Sequence, residues 1–105
     1  MNNFADNLAQ LPSIDHLNAL LIKNSAGEAV DRIENVTGKQ GSLKLYHALH
    51  KEFGELNAAA AQKGLELFAE HVADAEENPG KHPNIDRLFA IVKSDVALGL
   101  ELVEK

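Results

Sequence analysis

Ala58, Ala61, Leu65, Phe68, Val72 and Ala75 recur at intervals of three and four residues. That spacing lays an apolar stripe along one face of a helix, and it is the clearest periodic signal in the chain. It predicts one long helix from about Leu56 to about Glu77. Asn78-Pro79-Gly80 then stops it, because glycine suits the position just past a helix and proline cannot continue one. A helix apolar on one side must bury that side. The rest of the chain has to supply the partner surface.

Leu17–Lys23 is a short apolar run, Asn24-Ser25-Ala26-Gly27-Glu28 is rich in turn formers, and Ala29–Val36 brings β-branched Val30, Ile33 and Val36. This reads as a β-hairpin, with Gly27 supplying a positive φ near the end of its loop. Val96, Leu98, Leu100 and Leu102 alternate and favour a third strand, since a lone hairpin is marginal. The competing reading extends the preceding helix through Val92, Val96, Gly99 and Val103. Helical spacing recurs three more times. Phe4, Leu8 and Leu11 stop at Pro12; Leu45, Leu49 and Phe53 stop at Gly54; Ile85, Leu88, Phe89 and Val92 share a face. The expected fold is α+β: a small antiparallel sheet, hairpin plus C-terminal strand, packed against two to three helices in one domain over residues 1–105.

Composition removes several function classes. At 105 residues with 45% hydrophobic and 25% charged side chains, the chain suits one folded domain and not a disordered one. Without cysteine there is no disulfide, thiolate metal site, iron–sulfur cluster or cysteine nucleophile. A net charge of −6 disfavours nucleic acid as a partner. The opening Met1–Asp6 lacks the basic start and apolar core of a signal peptide, and no apolar run approaches the ~20 residues of a membrane span. The expectation is a cytoplasmic protein with no membrane partner. The acidity is uneven: residues 1–54 hold five basic and six acidic side chains, residues 55–105 five and ten. A local anion site near Lys39 and Lys44 is therefore compatible with the overall charge.

No catalytic signature is present: neither HExxH, GxSxG, GxGxxG nor the phosphate-loop pattern occurs. Candidate residues come instead from two loops and one helix. Gly38-Lys39-Gln40-Gly41-Ser42 precedes a helix, and exposed N–H groups, a lysine and a capping Ser42 attract anions there. Asn78-Pro79-Gly80-Lys81-His82-Pro83-Asn84 is stiffened by two prolines, with Arg87 following in the next helix, and Asn84 or the residue before Pro83 as its cap. Tyr46, His47 and His50 lie on the helix after Ser42, and the fold could bring them to the same place. The ligand-binding candidates are Lys39, Ser42, Tyr46, His47, His50, Lys81, His82, Asn84 and Arg87, with no catalytic residue, metal ligand or cofactor assigned.

Each motif also has an ordinary explanation. The first loop serves as a flexible helix start, the second as a rigid corner, and the histidines as surface or boundary residues. Glu66, Glu70, Asp74 and Glu77 form an acidic stripe that would be a solvated outer face.

Gly41-Ser42-Leu43-Lys44-Leu45-Tyr46-His47 together with Pro79-Gly80-Lys81-His82-Pro83-Asn84-Ile85-Asp86-Arg87-Leu88 resembles a small bacterial family of unknown function. The resemblance runs from the Phe4-Ala5-Asp6-Asn7 opening to the last helix. It implies a stand-alone bacterial cytoplasmic protein and brings no activity or site residue with it.

The leading expectation is a small binding module that recognises a protein partner or a small anion. The alternative is a metal-dependent enzyme using His47, His50, His82 and a carboxylate. A third reading makes the acidic stripe a decoy for a nucleic-acid-binding protein. An uncovered strand edge in so small a sheet could also pair with a second copy, giving a homodimer.

Overall fold

The computed structural model describes residues 3–105. The elements run α1 (Phe4–Ala9), β1 (Leu17–Lys23), β2 (Ala29–Glu34), α2 (Gln40–Phe53), α3 (Ala58–Phe68), α4 (His71–Glu77), α5 (Pro83–Ser94) and β3 (Gly99–Glu104). The fold is α+β, with an open three-stranded antiparallel sheet ordered β2-β1-β3 and five helices.

β1 takes the centre of the sheet because it is the most apolar strand, with Leu17, Ala19, Leu20 and Ile22 all buried. Leu20 stands opposite Ile33 on one side and Leu102 on the other. This apolar row faces the helices, and α2 lies over β1 and β2. β2 buries only Ile33, as an edge strand can. The hairpin loop closes on Asn24, whose side-chain oxygen accepts from the N–H groups of Ala26 and Glu28 at 3.0 Å each, with Gly27 at φ 84°. The outer face of the sheet is charged and carries the ion pairs Lys23–Glu101 and Arg32–Glu34.

α2 is the central helix and buries Leu43, Leu45, Tyr46, His47 and Leu49. α3 packs on α2 and α5 at Gly64, where a Cβ would stand 2.8 Å from Leu88 Cδ1 and 3.0 Å from Leu49 Cδ1. Leu49, Leu88, Ile85, Phe68 and the sheet residues belong to one hydrophobic core. No described helix is long and apolar enough to cross a membrane.

Four expectations need correction. The helix predicted from Leu56 to Glu77 is two helices: it breaks at Ala69, which holds φ 52°, ψ −118°, and restarts at His71. No glycine or proline marks the break. The split makes five helices of the four helical stretches in the sequence, beyond the two to three expected to pack against the sheet. Ser42 does not cap α2, because the helix begins earlier, Lys39 holds the cap position and no side chain caps it. In α5 the core face uses Ile91, while Val92 is 40% exposed. The C-terminal segment forms the strand its alternation favours, but over Gly99–Glu104, with Val96 exposed and Leu98 making a single bridge to Leu56.

Candidate functional site

The start of α2, the corner between α4 and α5, and the tip of α1 meet at a cleft of about 540 Å³. Gly38–Ser42 contributes one part of its lining and Lys81–Ile85 a second. Phe4, Phe68 and His71 contribute the third. Volumes of this order suit small organic ligands. No aspartate or glutamate is among the lining residues, although the chain is acidic.

Both long helices that begin at this cleft begin uncapped. α2 has 14 residues and α5 has 12, and neither receives a side-chain hydrogen bond at its N-terminus. By contrast, Asn3 and Asn57 accept from the first turns of α1 and α3. The first N–H groups of a helix have no intrahelical partner, so the uncapped start of α2 leaves those of Gln40, Gly41 and Ser42 to an anion. In α5 Pro83 has no N–H and the His82 carbonyl takes those of Ile85 and Asp86, which leaves Asn84. Gly41 sits in a tight contact with α1, where any side chain would make the Phe4 ring give by a few tenths of an ångström. A Cβ there would lie 3.1 Å from the Phe4 ring, which fixes how closely α1 approaches α2.

Asp74 organises the second loop. Its Oδ2 lies 2.6 Å from His82 Nε2 and 3.1 Å from Lys81 Nζ, while Oδ1 accepts from Asn78 Nδ2 at 2.9 Å. The hydrogen bond from His82, reinforced by Lys81, draws the Asp74 pKa down to about 2. Asp86 Oδ2 accepts from Gly80 N–H at 2.9 Å, so carboxylates on α4 and α5 hold the loop from both ends. Glu70, just before α4, accepts from Phe4 N–H at 2.8 Å, and that bond holds its carboxyl below the usual range.

Behind the cleft, α5 is braced against α2 and the sheet. Tyr46 OH donates to the Asn84 carbonyl at 2.5 Å. Arg87 Nη1 donates to Tyr46 OH at 3.1 Å and to Asn84 Oδ1 at 2.9 Å, and Nη2 pairs with Asp31 of β2. Burial pushes the Tyr46 hydroxyl up to about 12, against the pull of Arg87. The Asn84 side chain is thereby turned to Arg87, and the cap position of α5 falls to His82, with Pro83 as the first helical residue.

The nine candidates from sequence divide by place. Lys39, Ser42, Lys81, His82 and Asn84 line the cleft. Tyr46 and Arg87 brace Asn84 from behind it. His47 is buried on α2 beside His16, with ring centroids 5.4 Å apart and no hydrogen-bond partner for Nδ1. His50 Nδ1 lies 3.0 Å from the Gly54 carbonyl and closes the end of α2. The histidines are thus dispersed, and among the described residues no three His, Asp or Glu side chains are placed to hold a metal ion. The acidic stripe is divided as well: Glu66 lies on α3, Glu70 binds Phe4, and Asp74 holds Lys81 and His82.

Phe4, Phe68 and His71 were missed as cleft residues. Phe4 and Phe68 stack at 5.4 Å with planes 11° apart, and the Phe4 ring meets His71 edge-on at 4.8 Å. In sequence the two phenylalanines look like ordinary core positions of separate helices. Only the break at Ala69 brings His71 round to them.

No curated protein and no solved structure matches this chain. A family model does match, over residues 4–102, and its description is an uncharacterized protein conserved in bacteria (DUF2322). Covering almost the whole length, that match makes the chain a member of this bacterial family.

Proposed function

We propose that the protein is a cytoplasmic binding module for a small anion, held in the cleft between Gly38–Ser42 and Lys81–Ile85. One observation carries the reading: two long helices begin uncapped at one cleft, each start bears a lysine, and no carboxylate lines it. Helix N-termini and lysines both favour negative charge, and their effects add when they address the same ligand. Lys81 shares its charge with Asp74, whereas Lys39 makes no ion pair among the described residues. Lys39 is therefore the stronger electrostatic contributor.

Titration of the ¹⁵N-labelled protein with inorganic phosphate tests the proposal. The amides of Gln40, Gly41, Ser42 and Asn84 are expected to shift together along one saturable curve, and Lys39→Ala is expected to weaken it. Absence of saturable shifts at these amides, or affinity unchanged in Lys39→Ala, would overturn the reading.

A further inference from the structure

The chain is poor in aromatic side chains, with four phenylalanines, one tyrosine and no tryptophan; five histidines are its other rings. Four of these ten rings line the cleft and touch in series. Phe68 stacks on Phe4 at 5.4 Å, Phe4 meets His71 at 4.8 Å, and His71 lies 5.8 Å from His82. Core packing explains Phe68, which is 3% exposed, but Phe4, His71 and His82 keep partly open surfaces at the cleft. A bare phosphate or sulfate would use only the donor side and leave the rings and much of the 540 Å³ unfilled. A ligand that satisfies both sides has a flat body against the rings and an acid group toward Lys39. The α2 start and Lys39 offer several donors, which three phosphoryl oxygens can engage more fully than a carboxylate's two.

We infer that the ligand class is a planar organic monophosphate, its aromatic body lying against Phe4 and His71 and its phosphoryl group at Lys39 and the start of α2. This rests on the small-anion reading and adds the ring to it. Three probes separate the two: inorganic phosphate, phenyl phosphate and cyclohexyl phosphate, titrated into the full chain with amide and aromatic shifts followed by NMR. Phenyl phosphate is expected to bind about tenfold more tightly than inorganic phosphate, the size of effect that a buried aromatic contact supplies. Cyclohexyl phosphate, matched in size but not flat, is expected to fall between them. Phe4→Leu, which keeps the apolar bulk, is expected to close most of the gap between phenyl phosphate and inorganic phosphate. Equal affinity for phosphate and phenyl phosphate, or a gap unchanged in Phe4→Leu, overturns the inference and leaves the anion reading standing. Failure of all three probes to bind overturns both.

Discussion

At the scale of single residues the sharpest departure from ordinary chemistry is His47. It is 3% exposed, its Nδ1 has no partner, and its nearest titratable neighbour is another histidine, His16. Burial first, then the charges of His16, Lys51 and His50, hold its pKa below 6.5. The folded state therefore resists a proton that the unfolded chain accepts. Stability is fully present above the unfolded value and is lost as pH falls below it toward the depressed folded value. Urea unfolding at about pH 7.5 and about pH 5.5 is expected to show a lower midpoint at the acid pH. His47→Leu removes the titrating group without removing the bulk, so the difference between the two midpoints should shrink. An undiminished difference would assign the acid sensitivity to other groups. The sequence places His47 on an apolar helix three residues from His50, which suggested a shared ligand role. Whether such a residue faces a cleft or the core is decided by how its helix rolls against the sheet, and the spacing does not carry that information.

Among the elements, the junction of α3 and α4 decides the shape of the cleft. An unbroken helix would carry His71 and Asp74 onward along α3, away from Phe4 and the α5 corner. The turn at Ala69 instead brings Glu70 to the Phe4 amide, His71 to the Phe4 ring and Asp74 to Lys81 and His82. Ala69 accepts φ 52°, ψ −118°, a region that suits glycine and costs an L residue on the order of 1–3 kcal/mol. Ala69→Gly is expected to raise stability by about 1 kcal/mol, measured as an increased urea midpoint at constant slope. A decrease would mean that the unfolded chain's gain in freedom outweighs the relief of strain. The same junction shows how far the fold could be read in advance. The hairpin, the third strand and the helices around Leu45 and Ile85 were legible because each has its own period and stop residues. The break was not, since Ala69 lies inside an apolar period that runs unbroken through Phe68, Val72 and Ala75, and the Phe4 amide that Glu70 meets beyond it is 66 positions away in sequence. The two loops lining the cleft could be chosen from their glycines, prolines and lysines; the rings between them could not.

For the whole molecule, the question is whether the cleft belongs to the cooperative core or opens by itself. One hydrophobic cluster joins the sheet to α2, α3, α4 and α5, and a chain of this size with a single core is expected to unfold as a unit. Tyr46, the only tyrosine in a chain without tryptophan, is fully buried where α2, α5 and β2 meet, so its fluorescence reports on that unit. α1 is different. It buries none of its residues completely and is fastened by Phe4 against Phe68, by Glu70 and by the Asn7 side chain on the Leu67 carbonyl. Few buried contacts mean a low free energy of local opening, well under the ~5–15 kcal/mol of global unfolding. Tyrosine fluorescence and helical circular dichroism should therefore give one coincident urea transition, while hydrogen exchange finds the α1 amides opening far more readily than those of α2. Because Phe4 supplies part of the cleft wall, the opening of α1 also uncovers that wall. A bound ligand that touches Phe4 must then slow α1 exchange in proportion to its affinity. Exchange in α1 as slow as in α2, before any ligand is added, would place the wall of the cleft inside the core and make it a fixed surface.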